Sequence, residues 1–150
     1  MSLKNLNEII KNNKNNFLLE TKADILFSHG YTDAALKFYK KNLEKYPLNY
    51  YAQIRIFENI EIKNLSNSEA EIIFQNNKDL LYKFYNNKNV LLKYFELSKK
   101  LNKKEWLQFF SFLLSINDIE KEVFDIEIKN FKSTKDSDLL KLVNIIENIN

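Results

Sequence analysis

The sequence predicts an all-α protein of antiparallel helix hairpins stacked side by side, and three observations carry that prediction. Apolar residues recur at helical spacing through nearly the whole chain, as in Leu19, Ala23, Leu26 and then Ala35, Tyr39, Leu43. The chain holds one glycine and one proline in 150 residues, far below the usual shares of about 7% and 5% on which the turns of sheet proteins depend. The breaks between periodic segments are short. Helices of about ten to fifteen residues joined by such turns cannot bury their apolar faces alone, so each must pack on its neighbour and successive hairpins must stack.

Caps and breaks place helices over residues 3–13, 17–29, 32–46, 49–63, 67–76, 79–86, 88–101, 103–116, 118–131 and 136–149. Gly30 can take the left-handed conformation that ends a helix, and Thr32, before Asp33-Ala34-Ala35, is placed to cap the next one. Pro47 stops that second helix. Ser66 with Glu69 three residues on has the pattern of a capping box, and Asp136 before Ser137-Asp138-Leu139-Leu140 marks the last start. The Asn-Lys clusters at 11–16, 76–78 and 86–89 fall where turns between helices are expected. No Pro/Gly/Ser-rich linker divides the chain, which predicts a single domain over residues 1–150.

Composition excludes more than it identifies. A hydrophobic share of 45% and a charged share of 29% are those of a soluble globular protein. With no cysteine there is no disulfide framework, no thiolate nucleophile and no cysteine-ligated metal. Met1-Ser2-Leu3-Lys4-Asn5 runs straight into polar residues, so a cytoplasmic location is expected, or a periplasmic one if the chain is an excised fragment. The net charge of +3 is small, and Arg55 is the only arginine.

Catalytic constellations are not apparent. His29 is the only histidine, and it lies in a turn with no cysteine or second histidine to work with, so it reads as a cap or surface residue. Glu69/Glu71 and Glu120/Glu122 stand two apart, point to different sides of a helix and read as solvated. No glycine-rich loop cradles a phosphate. The chain is therefore expected to be no enzyme and to need neither cofactor nor metal. A nucleic-acid reading rests on Lys99, Lys100, Lys103 and Lys104 beside Trp106 and Phe109, in a segment without arginine. The apolar run from Trp106 to Ile116 is too short for a bilayer, which needs about 20 residues. It is expected either to lie under its neighbours or to expose part of a face to a partner or a second copy of the chain.

Residues 16–49 resemble a single tetratricopeptide repeat. With Pro47 at the family's closing proline, Ala23 and Ala35 fall at its two small helix-contact positions, Leu26 and Tyr39 at its large ones, and Gly30 in the turn. Lys22 and Asn42 depart from the usual leucine and alanine, which implies looser packing. Residues 50–76 read as a degenerate second repeat with Phe57, Ala70 and Phe74 in similar roles, and residues 77–150 as further hairpins with a capping helix. The resemblance implies a right-handed α-solenoid whose concave groove holds a segment of another protein. By that analogy Phe17, Glu20, Thr21, Asp24 and Phe27 face the groove, joined by Tyr51, Ile54, Arg55 and Glu58.

Glu20 and Asp24 would make the groove's first half acidic, suiting a lysine-bearing or apolar segment. The implied function is a non-catalytic adaptor or assembly scaffold acting by protein binding. The run Leu18-Leu19-Glu20-Thr21-Lys22-Ala23-Asp24-Ile25-Leu26 is also similar to the first repeat in the tails of periplasmic zinc metallopeptidases. That likeness implies the alternative of an enzyme's repeat tail without its catalytic domain. A helical-repeat binder of nucleic acid is the third reading.

Overall fold

The computed structural model describes residues 2–12 and 19–149, and among these the fold is all-α with no strand. Ten α-helices follow in order: α1 Leu3–Asn12, α2 Leu19–Ser28, α3 Thr32–Lys45, α4 Tyr50–Glu58, α5 Asn67–Asn76, α6 Lys78–Lys83, α7 Lys88–Lys100, α8 Lys104–Leu114, α9 Lys121–Phe131 and α10 Ser137–Ile149. Three expected helices fall clearly short at one end, among them α6, which stops at Lys83 where the sequence predicts helix to residue 86. The segment expected to be helical to residue 63 ends at Glu58, where the Asn59 side chain donates through Nδ2 to the Arg55 carbonyl at 2.7 Å and the backbone N–H groups of Asn59 and Ile60 tighten into i→i−3 bonds. A single 3₁₀ turn, Ile62–Asn64, follows; a second, Ile116–Asp118, replaces the expected start of α9.

The chain divides into two compact units, Met1–Ile60 and Glu61–Asn150. The sequence gives no sign of the division, since Ile60-Glu61-Ile62 contains none of the residues that make a linker. It falls inside the stretch 50–76 that reads as a second repeat.

In the first unit α1 packs on α2, α2 on α3 and α3 on α4. Ala23, Ala35 and Ala52, one from each of α2, α3 and α4, are fully buried with Leu6, Leu26 and Tyr39. Alanine removes the side chain that would hold two helix backbones apart, so these positions are where the helices meet. Gly30 has φ +83°, and two N–H groups close the end of α2: Gly30 to Phe27 O at 3.0 Å and Tyr31 to Leu26 O at 3.0 Å. This is the paired bonding of a left-handed helix terminator. His29 completes it, its Nδ1–H donating to Ile25 O at 2.8 Å, so it caps the end of a helix as expected. Thr32 does not cap α3: it is already the first helical residue, Tyr31 holds the cap position, and no side-chain bond closes that end.

The second unit is organised around an aromatic chain. Phe74 of α5 meets Tyr94 of α7 and Trp106 of α8 edge-on, both at 5.2 Å, and Trp106 stacks on Phe110 at 5.6 Å. Phe109 then meets Phe131 of α9 edge-on at 4.9 Å, and Phe112 stacks on Phe124 at 5.5 Å. These are the offset and T-shaped geometries that ring quadrupoles favour. The buried Tyr94 hydroxyl donates to Phe74 O at 3.0 Å, so its polar end is satisfied. Side chains tie the remaining helices in. Trp106 Nε1–H donates to Asp136 Oδ2 at 2.8 Å, while Asp136 Oδ1 accepts from the N–H groups of Asp138 and Leu139, capping α10 as the sequence predicts. Lys78 of α6 pairs with Asp138 of α10, and Lys103 pairs with Glu71 of α5 at 3.1 Å. The capping box of α5 is present in full, Ser66 Oγ accepting from Glu69 N–H and Glu69 Oε2 from Ser66 N–H.

The apolar run 106–116 resolves toward burial. Trp106, Phe109, Phe110, Phe112 and Leu113 lie in the core, and the outer strip of α8 is polar: Lys104, Gln108, Ser111, then Ser115 at its end. Burial thus holds for these five side chains, while Leu107, Leu114 and Ile116 are half-buried. No helix among the described residues is long and apolar enough to cross a membrane.

Candidate functional site

Six of the nine residues expected to face a groove come together across α2 and α4 of the first unit. The local sequence explains how they are held. Asn49 caps α4, its Oδ1 accepting from Ala52 N–H at 3.2 Å, and the same amide's Nδ2 donates to Glu20 Oε2 of α2 at 2.8 Å. One turn along, Asp24 Oδ1 accepts from Tyr51 Oη–H at 3.0 Å and also from Tyr39 of α3. One further turn along, the Arg55 guanidinium lies 4.7 Å from the centre of the Phe27 ring and 5.2 Å from that of Tyr51. It donates to Tyr51 Oη through Nε and Nη2, at 3.2 and 3.0 Å, and to Glu58 Oε1 through Nη1 at 3.0 Å. The spacing Glu20, Asp24, Phe27 on α2 and Tyr51, Arg55, Glu58 on α4 puts each set on one helix stripe.

The electrostatics follow from these contacts. The Tyr39 hydroxyl is pushed well above the usual range, first by burial and then by its bond to Asp24, so it stays protonated as a donor. Burial works against the charge on Arg55, but its bonds to Tyr51 and Glu58 outweigh this and hold the guanidinium protonated. The stripe carries three carboxylates, Glu20, Asp24 and Glu58, against one guanidinium, so it is net acidic. The carboxylates are not bare, however. Glu20 and Asp24 each have one oxygen bonded within the unit, and among the described residues their second oxygens, Glu20 Oε1 and Asp24 Oδ2, make no such bond.

Of the other expected groove residues, Thr21 is exposed, Ile54 is half-buried, and Phe17 lies outside the described residues. Tyr39 and Asn49 belong to the same network, and the sequence did not single them out for it. Tyr39 reads as a helix-contact residue and Asn49 as the first residue of a helix, and neither reading reveals that the far end of the side chain reaches α2.

The basic cluster changes character. Lys103, one of the four lysines on which the nucleic-acid reading rests, pairs with Glu71 and lies 4.8 Å from the centre of the Phe74 ring. Trp106 and Phe109, the two rings on which that reading rests, are both buried and so not open to stack on a base. Glu71, read as solvated, is instead the acidic end of this tie, and its carboxyl is held below the ordinary range by bonds from Gln75 and Lys103, against a smaller effect of burial. Among the described residues no three His, Cys, Asp or Glu side chains gather as metal ligands would. No family model, curated protein or solved structure matches the chain.

Proposed function

We propose that the chain is a non-catalytic protein-binding module, an adaptor or assembly scaffold, that holds a lysine-bearing segment of a partner along the α2–α4 face. The observation that carries this reading is the pre-bonded acidic stripe. Internal bonds fix Glu20 and Asp24 in place, leaving one oxygen of each pointing at no internal donor. A site whose acceptors are already ordered loses little side-chain entropy on binding, and a lysine ammonium is a compact donor that can reach single oxygens. Tyr51 keeps 40% of its surface exposed between them and offers an aromatic wall for an aliphatic stem.

We read α2, α3 and α4 as one tetratricopeptide-like repeat followed by the first helix of a next one, within a solenoid. Three features favour it: alanines at the helix contacts, the left-handed Gly30 turn, and Pro47 between α3 and α4. No observation favours the enzyme-tail reading, and the pairing of Lys103 with Glu71 weakens the nucleic-acid one.

The test needs a variant that does not disturb the fold. Asp24 is unsuitable, because it holds Tyr39 and Tyr51 together. Thr21 is exposed, lies on the face, and makes no side-chain hydrogen bond among the described residues. Fluorescence anisotropy with a peptide panel of graded charge should show lysine-bearing segments binding and acidic ones not. Thr21→Lys should weaken the former about fivefold or more at low salt, with unchanged circular dichroism. Equal binding of acidic and lysine-bearing peptides, or a Thr21→Lys variant that binds like the parent, would reject the face.

A further inference from the structure

The second unit holds a cavity of about 390 Å³ walled by α7, α8, the 3₁₀ turn after it, and α10. Its apolar floor is formed by Leu91, Leu113 and Ile146, all buried, and its sides by the half-buried Leu114 and Ile116. The rim is different in kind: Tyr85, Asn86, Lys88 and Asn117. Among the described residues none of these four side chains makes a hydrogen bond or ion pair within the chain, and no Asp or Glu lines the cavity.

That separation of character matters. Among the described residues other surface lysines, such as Lys99, Lys100 and Lys104, also make no ion pair; what sets this place apart is that several kinds of polar group gather at one apolar opening. Here a cation, two carboxamides and a phenol stand unengaged around an apolar well. Small-molecule sites have this composition: apolar walls with a few convergent polar groups at one end, in volumes of about 300–1,000 Å³. The volume lies near the lower limit, so the apolar part of an occupant is short. The single charged group is positive, so the polar part is an anion. One lysine, with no arginine near it, balances one negative charge but not a dianionic phosphate.

We propose that this cavity binds a medium-chain aliphatic monocarboxylate, the alkyl chain on Leu91, Leu113 and Ile146 and the carboxylate at Lys88, accepting also from the amides of Asn86 and Asn117. The site lies in the second unit and does not depend on the α2–α4 face.

Decanoate, titrated into the full chain below its micelle concentration, is the probe, with decanol and acetate as controls for tail and head. The expected result is one saturable site for decanoate at submillimolar concentration, none for acetate, and methyl shifts in the NMR spectrum centred on Leu91, Leu113 and Ile146. Lys88 is exposed, so Lys88→Gln leaves the fold intact. It should weaken decanoate about fivefold and leave decanol unchanged, as loss of a partly solvated charge contact implies. Equal affinity of the parent and Lys88→Gln for decanoate, or methyl shifts centred elsewhere, overturns the proposal. Tighter binding of a short peptide ending in leucine than of decanoate also overturns it, assigning the cavity to a peptide terminus instead.

Discussion

Gly30 turns the chain between α2 and α3 with φ at +83°, and beyond its own chain neighbours no heavy atom lies within 4 Å of where a methyl group would stand. Any penalty for a side chain there is purely conformational. Gly30→Ala should therefore cost about 1 kcal/mol, the strain of an L-residue in the left-handed region, with no steric addition. Chemical denaturation followed by circular dichroism measures it, and a change under a few tenths of a kcal/mol would mean that the turn relaxes to another geometry. Asn102 does the same work between α7 and α8 with φ +54°, Lys103 N–H reaching Ser98 O at 2.9 Å. Asparagine tolerates that conformation better than most residues. This is how the chain makes its tight helix ends with a single glycine. It also explains why the first of these turns is legible in the sequence and the second is not: in a chain so rich in asparagine, no particular one marks a left-handed residue.

At the scale of elements, the helices that carry side-chain ties at their ends are the ones whose response to pH can be derived. Asp138 of α10 has its carboxyl held below the ordinary range, first by the bond from Lys78, with burial opposing and Tyr82 assisting. Tyr82, half-buried beside it, is pushed up to about 12, first by desolvation and then by Asp138, and stays a donor. A carboxyl whose folded value is depressed contributes stability that is complete above its unfolded value, about 4, and is lost as pH falls through the folded one. Lys78→Met removes the ammonium and keeps most of the stem. Urea unfolding followed by the fluorescence of Trp106 should find this variant less stable than the parent at neutral pH, the gap closing as pH drops below about 4. Parallel pH profiles would mean that the Lys78–Asp138 pair adds nothing.

The existence and order of these elements were readable, because the 3.6-residue period runs through nearly every one, and so were the caps at Ser66 and Asp136. What connects one helix to another was not. The reach of Tyr39 to Asp24, of Asn49 to Glu20 and of Lys103 to Glu71 spans 15, 29 and 32 residues of chain, and periodicity carries no information on which stripes face each other. The acidic stripe was legible as a set of positions only through the likeness to a known repeat, and its internal bonding only through coordinates.

At the scale of the molecule, the two units give each half of the chain its own core, alanine-lined helix contacts in Met1–Ile60 and an aromatic chain in Glu61–Asn150. A core that closes on itself can unfold by itself, and a contact boundary at residue 60 makes two cooperative transitions the expectation. The sequence supplies the reporter: its one tryptophan, Trp106, lies in the second core, so its fluorescence follows that unit alone, whereas circular dichroism follows every helix. Gly30→Ala perturbs only the first unit. It should move the part of the circular-dichroism transition that belongs to α1–α4 and leave the Trp106 midpoint where it is. Lys78→Met should do the reverse, shifting the Trp106 midpoint and sparing the first-unit component. If either variant moved both signals together, by the same amount and with one midpoint, the chain would be a single cooperative structure. A partner on the α2–α4 face would then stabilise the second core as much as the first, whereas independent units confine that stabilisation to residues 1–60.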